Sequence, residues 1–191
     1  VDDYAKNYTT ILTKITGYIL GKLDPNSVDT IGQRTVIIDK MIKKIGPKNI
    51  IEIGAGLSSR SIRFKKIRFR ELDLPVFKGK KSNSKFIPFD IEKDELDIDV
   101  EEGLFIVEGV TMYLKEKEVK RLLNQIRKYK GYLIIGFFNR EYSKKEKGIR
   151  ERMYRFLFRK MIKKDHLFDF RIENINAGKE LLKKMGFKNV K

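Results

Sequence analysis

The sequence predicts an α/β protein with a doubly wound, mostly parallel sheet. Three observations carry this reading. Short apolar runs of strand length alternate with segments of helical periodicity along most of the chain. The first clear run, Asn49 to Ile53, enters Gly54-Ala55-Gly56, a glycine turn directly after a buried strand. The 191 residues with 41% hydrophobic content can bury one core. Right-handed crossovers then leave few topologies.

Taken in order, Tyr4, Tyr8, Ile11, Leu12, Ile15, Ile19 and Leu20 recur at helical spacing and end at a break, Asp24-Pro25-Asn26-Ser27. A second helix is predicted from Gly32 to Ile45, with Val36, Ile37, Met41 and Ile45 on its apolar face and Gly46-Pro47 ending it. Strand one, Asn49–Ile53, is followed by a short helix over Ser58–Phe64. Strand two is Arg68–Leu72, stopped near Pro75, and strand three is Lys85–Phe89. Strand four is Leu104–Val107 and strand five Tyr132–Phe138. Between the last two, Val119, Leu122, Leu123 and Ile126 mark a helix over Lys117–Tyr129. A basic helix over 144–164 and another over Gly178–Met185 follow, and Gly186-Phe187-Lys188-Asn189-Val190 opens a further strand. No internal repeat or interdomain linker is visible. The expectation is one domain over 1–191, with residues 1–46 a helical segment covering the ligand site and the last strand of the fold lacking.

Composition excludes several chemistries. The chain has no cysteine, which removes disulfides, thiolate metal sites, cysteine nucleophiles and cysteine-bound iron–sulfur clusters. No apolar run is long enough to span a bilayer, and Val1 to Lys6 carries acids rather than a signal-peptide core. The chain therefore reads as soluble and cytoplasmic, with no membrane partner and no metal site. The net charge of +17 admits two readings: a thermophile-like, lysine- and glutamate-rich surface, or attraction of anionic partners.

Glycines after a first parallel strand permit a sharp turn and close approach of a ligand to backbone, at the strand ends where such sheets bind ligands. A tight structural turn is the plain alternative. A dinucleotide fingerprint would want a third small residue at the place held by Ser59. The acids Glu71 and Asp73 lie at the right distance for a ribose with either kind of cofactor.

The motifs in order are more specific. They are Gln33-Arg34-Thr35 with Asp39; Ile51-Glu52-Ile53-Gly54-Ala55-Gly56-Leu57-Ser58-Ser59-Arg60; Glu71-Leu72-Asp73-Leu74-Pro75; Pro88-Phe89-Asp90; and Val107-Glu108-Gly109-Val110-Thr111-Met112-Tyr113-Leu114. Over Ile31 to Asn139 the chain resembles the leucine carboxyl methyltransferase family, which includes polyketide carboxyl O-methyltransferases, within the Rossmann-like class I methyltransferases. The resemblance implies S-adenosyl-L-methionine as cofactor. It implies that Arg34 pairs with the methionyl carboxylate and that Gly54, Ala55 and Gly56 pass along the cofactor. Asp73 would accept from the ribose hydroxyls, Asp90 and Ile91 would sit at the adenine, and Glu108 would lie near the methionyl ammonium. Glu52 is a further candidate, and Glu71 reads as structural. The sequence departs from the family where Ser58-Ser59 replaces an Asp-Thr-like pair, and it lacks the insertions that build the substrate pocket in longer members.

The implied activity is O-methylation, with a carboxylate of a small molecule or protein as acceptor. A carboxylate is ionised at neutral pH and needs no general base, so alignment of oxygen and methyl would dominate catalysis. Tyr113 is the one candidate to face the substrate, against a packing role. The lone histidine, His166, reads as a surface residue. Three other readings stay open: an RNA-directed methyltransferase, a noncatalytic S-adenosylmethionine-binding module and a nicotinamide dehydrogenase. Glu108-Gly109-Val110-Thr111 replaces the Asn/Asp-Pro-Pro-aromatic element of base amino-methyltransferases, which disfavours a nucleic-acid partner for that chemistry.

Residues 141–164 carry ten Lys or Arg against three Glu, with Ile149, Met153, Phe156, Leu157 and Met161 as an apolar stripe. A solvated amphipathic helix is the favoured reading over recruitment of an anionic acceptor. Replacing Arg152, Arg155 and Arg159 with Gln should then leave turnover unchanged from low to high salt. A steep loss that copies the effect of salt on wild type would assign this segment to acceptor recruitment.

Overall fold

The computed structural model describes residues 25–56, 58–75, 84–139 and 170–191. The helix predicted over residues 4–20, His166 and the basic segment 144–164 lie outside the described residues. The chain divides into two compact units, Val1–Pro88 and Phe89–Lys191.

In the first unit, α1 (Pro25–Ile45) precedes β1 (Asn49–Ile53), the single-turn α2 (Arg60–Arg63), β2 (Arg68–Asp73) and β3 (Ser84–Pro88). The predicted break at Asp24–Ser27 is corrected: the helix begins at Pro25 rather than Gly32. Proline suits a first helical position, where its fixed φ is already helical and its missing N–H would have had no partner. The predicted apolar face is also corrected. Ile38 and Ile42 are buried, whereas Val36, Ile37 and Met41 are 53%, 57% and 41% exposed. Apolar residues at 36, 37, 38, 41, 42 and 45 supply two overlapping stripes, and periodicity alone does not choose between them. Asp39 chooses, because its ion pairs with Arg60 and Arg63 turn its side of the helix inward.

β1 lies parallel to β2 with Ile53 opposite Leu72, and β2 lies parallel to β3 with Asp73 opposite Pro88. The core of this unit is Ile38, Ile42, Ile50, Ile51, Ile53, Phe69 and Leu72. The nearly unbroken apolar run of β1 is what a strand covered on both faces requires.

The second unit contains β4 (Glu102–Val107), a 3-10 turn at Thr111–Tyr113, α3 (Glu116–Ile126), β5 (Lys130–Ile135) and α4 (Ile175–Lys184). The four apolar positions read from the sequence, Val119, Leu122, Leu123 and Ile126, are all buried. The Lys115 N–H donates to Glu118 Oε2 at 2.7 Å, which occupies an N–H at the start of α3. The Leu96 N–H donates to Gln125 Oε1, and Tyr129 donates to the Leu96 carbonyl, so α3 and the turn that follows it fix the approach to β4. β4 and β5 are parallel, with Gly103 opposite Gly131. The strand expected over Gly186–Val190 does not form. Gly186 and Asn189 both take positive φ, 87° and 54°, which interrupts extended backbone twice in four residues.

The five strands form one sheet in the order β3-β2-β1-β4-β5. This is the predicted α/β class with a mostly parallel sheet, and its order reverses after β1, as in doubly wound folds.

The paired glycines of β4 and β5 generate a prediction. A Cβ on Gly131 would lie 2.0 Å from the Gly103 carbonyl oxygen, and the residue has φ +123°. A Cβ on Gly46, also at positive φ, meets nothing within 4 Å. Gly131→Ala should cost about 2 kcal/mol or more in urea unfolding, against about 1 kcal/mol for Gly46→Ala. Equal midpoints for the two variants would contradict this strand register.

Candidate functional site

The ends of β1 and β2 gather the candidate residues of the first unit. Glu52 is a carboxylate inside an otherwise apolar strand end and is only 3% exposed. Burial of such a group is costly unless it is paired and hydrogen-bonded. Arg60 Nη1 donates to Glu52 Oε1 at 2.6 Å and Ser58 Oγ donates to the same oxygen at 2.8 Å. Glu52 Oε2 is buried and has no hydrogen-bond partner among the described residues. Burial pushes the Glu52 carboxyl above the ordinary glutamate value, opposed by Arg60 and by the hydrogen bond from Ser58.

Arg60 is itself buried, and its Nε lies 3.4 Å from Asp39 Oδ1. Arg63 pairs with the other oxygen of Asp39. The four charges form one chain, Arg63–Asp39–Arg60–Glu52, that ties α1 and α2 to the end of β1. Arg34 stands half-buried on α1, five residues before Asp39.

The glycine turn follows directly. Gly54 and Gly56 have φ of 69° and 52°, values that residues with a Cβ rarely adopt. The Gly54 N–H donates to the Leu72 carbonyl at 2.7 Å and the more distant Ala55 N–H to the same oxygen at 3.4 Å, so the turn continues the pairing with β2. The Gly56 N–H donates to Asp73 Oδ2 at 2.6 Å, and Asp73 Oδ1 accepts from the Leu74 N–H at 2.7 Å. Asp73 is therefore the clasp of the turn. A Cβ on Gly56 would meet nothing within 4 Å. Glu71, in register with Glu52, is buried and accepts from Ser61 Oγ at 2.7 Å, as expected of a structural residue.

The second unit holds the remaining candidates. Asp90 and Ile91 share a turn just after β3. Asp90 Oδ1 accepts from the Glu92 N–H at 3.0 Å, and the Asp90 N–H donates to Asp94 Oδ2 at 2.6 Å. Arg121, on α3, donates to the carbonyls of Ile91 and Lys93 at 2.5 and 3.3 Å. Glu108 is half-buried at the end of β4, ahead of Gly109 at φ 67°. Tyr113 is half-buried in the 3-10 turn, which Thr111 fixes by donating to the Gly136 carbonyl at 2.8 Å.

Ser58, Arg60 and Arg121 carry no role in the sequence reading. Ser58 and Arg60 had a usable signal, since a buried acid in an apolar strand needs donors and both lie in the turn that follows it. Arg121 had none, because it looks like any solvated helix arginine.

No protein-family model matches the chain, and no curated protein matches its sequence. Solved structures do match. One is a protein from Nostoc punctiforme provisionally described as an O-methyltransferase, at 11% identity and TM-score 0.54, covering 80% of this chain and 49% of that one. Another is an O-methyltransferase family protein from Burkholderia thailandensis, at 9% identity and TM-score 0.50, covering 78% of this chain and 51% of that one. The chain thus shares the α/β fold of these two structures, and it spans about half of their length.

Glu52 makes stability depend on pH. Its folded pKa is raised above the ordinary 4.5, so the folded state holds this proton more tightly than the unfolded chain. The stabilisation is fully present below that ordinary value and is lost as pH rises through the folded pKa. The stability of wild type relative to Glu52→Gln should therefore fall as pH is raised from about 4 to about 8. A constant difference across that range would show that Glu52 titrates normally.

Proposed function

We propose that the protein is an S-adenosylmethionine-dependent O-methyltransferase whose acceptor is a carboxylate of a small molecule or protein. The observation that carries the cofactor half is the clasp between Asp73 Oδ2 and the Gly56 N–H, beside the buried, partnerless Glu52 Oε2. The donor and acceptor set suits such a cofactor. Glu52 Oε2 lacks a donor that an ammonium can supply, Arg34 provides a cation for a carboxylate, and Asp73 takes the ribose hydroxyls as the resemblance implies. The open space at Gly56 admits a ligand against backbone. In the second unit, Asp90 and Ile91 take the adenine and Glu108 the ammonium side, following the leucine carboxyl methyltransferase resemblance. When bound, the cofactor supplies an electrophilic methyl group on a sulfonium.

The acceptor assignment rests on the same resemblance and on chemistry. A carboxylate oxygen is nucleophilic without deprotonation at neutral pH, so the chain's task is to orient it and exclude water. Tyr113, in the turn after β4, is the candidate to contact the acceptor.

S-adenosylhomocysteine should bind and raise Tm by mass action. Asp73→Ala should weaken that binding by about 1–3 kcal/mol in calorimetry while remaining folded. No binding of product or cofactor at millimolar concentration overturns the cofactor reading. Methyl label transferred to the acceptor should be released by mild alkali, as an ester is. Label that survives alkali points to a nitrogen or ribose acceptor, and cofactor binding without any transfer points to a noncatalytic module.

A further inference from the structure

The ion chain of the first unit does more than satisfy its own members. Its four charges cancel, and its two ends belong to different parts of the candidate site. Asp39 lies on α1, the helix that carries Arg34, and Glu52 lies one residue before the glycine turn. Arg60 is the link, 4% exposed and within reach of both carboxylates.

A chain built only for stability would satisfy every buried oxygen. This one does not. Both side-chain donors in contact with Glu52, Ser58 Oγ and Arg60 Nη1, go to the same oxygen, Oε1. Oε2 is left without a hydrogen bond, although it is equally buried. Asp39 Oδ1 faces Arg60 at 3.4 Å, an ion pair rather than a hydrogen bond. Buried polar side chains elsewhere in the described residues are bonded: Glu71 to Ser61, Glu118 to the Lys115 N–H, Gln125 to the Leu96 N–H and Thr111 to the Gly136 carbonyl. An unmet buried acceptor of this kind calls for an explanation. Buried ion pairs also give little net stability compared with apolar packing, so their presence is weak evidence of a stabilising role.

We propose that Arg60 is a positioning residue for ligand binding: it holds Glu52 by Oε1 so that Oε2 is presented to the amino-acid end of the ligand, and through Asp39 it holds the helix bearing Arg34 in the same frame. The inference rests on the cofactor reading above. Arg60 does not touch the ligand. It acts by fixing the Glu52 carboxyl group and by joining the two elements that flank a zwitterion.

Two ligands separate this role from a structural one. S-adenosylhomocysteine carries the amino-acid end, and 5′-methylthioadenosine carries the nucleoside without it. Arg60→Met should weaken S-adenosylhomocysteine by about tenfold or more and leave methylthioadenosine within about twofold of wild type. Arg60→Lys should recover part of the lost affinity, since it restores the charge without the fork that spans two carboxylates. If Arg60→Met does not fold, Arg60→Lys and Asp39→Asn carry the same comparison, each expected to weaken S-adenosylhomocysteine selectively. Equal weakening of both ligands, or no change in either, overturns the role of Arg60 while leaving the cofactor reading intact. Wild type that binds neither ligand overturns both.

Discussion

The first unit is organised around the burial of one carboxylate. Glu52 is flanked along its strand by Ile51 and Ile53 and is buried, and a bare charge there would be far too costly to keep. Arg60 and Ser58 must therefore fold back onto it, which sets the path of the chain after the glycine turn. Arg60 brings a second cation-to-carboxylate contact, with Asp39, and Asp39 in turn fixes the rotation of α1 about its axis. The exposure of Val36, Ile37 and Met41 follows from this, because the helix side that faces inward is the side of Asp39, Ile38 and Ile42. One electrostatic requirement thus overrides an apolar periodicity.

The register of the parallel strands does the rest. With Ile53 opposite Leu72, the first residue beyond β1 meets the Leu72 carbonyl, and Gly54 takes it. Asp73 stands one residue further along β2, where its carboxylate reaches the Gly56 N–H. Left-handed backbone at Gly54 and Gly56 is what points these N–H groups at β2. The clasp needs a short acceptor on the next strand and two residues free of a Cβ penalty. Asp73 is held in place by the two N–H groups that it accepts from, those of Gly56 and Leu74.

Much of this was legible in the sequence, and the reasons for the rest are physical. β1 was placed to the residue, since an apolar run between Pro47 and a glycine turn has only one way to end. The buried face of α3 was read correctly because its four apolar positions make a single stripe. α1 misled because its apolar residues make two stripes, and the choice between them depends on Arg60, more than twenty residues away. The strand expected at Gly186–Val190 failed at two positive-φ residues, one of them Asn189, whose preference for that conformation is real but weak. In the candidate site, Glu52, Gly54, Gly56 and Asp73 were visible as types in order. The pairing of Asp73 with the Gly56 N–H was not, because a contact across 17 residues leaves no periodic trace, whereas Ser58 and Arg60 could be sought as donors for a buried acid. Arg121, held against the turn of Asp90 and Ile91, is the extreme case.

Conflicts between local preference and structure fall mainly at one place. A charged residue in an apolar strand, two left-handed glycines and an acceptor without a donor all lie within Glu52–Gly56. Most other elements follow ordinary rules, with continuous apolar strands, an amphipathic α3 and an α4 capped by Asn174 Oδ1 accepting from the Ala177 N–H. Sequences that are otherwise consistent across levels break local rules where function requires it. The form of the break also restricts the ligand. An unmet buried carboxylate oxygen wants a donor, and a cationic one most of all. The open space at Gly56 wants something that packs on backbone. An anion alone would meet Glu52 and Asp73 with repulsion, whatever the net charge of +17 does at longer range. A ligand with an ammonium and a body thin enough to lie along the turn answers both demands at once.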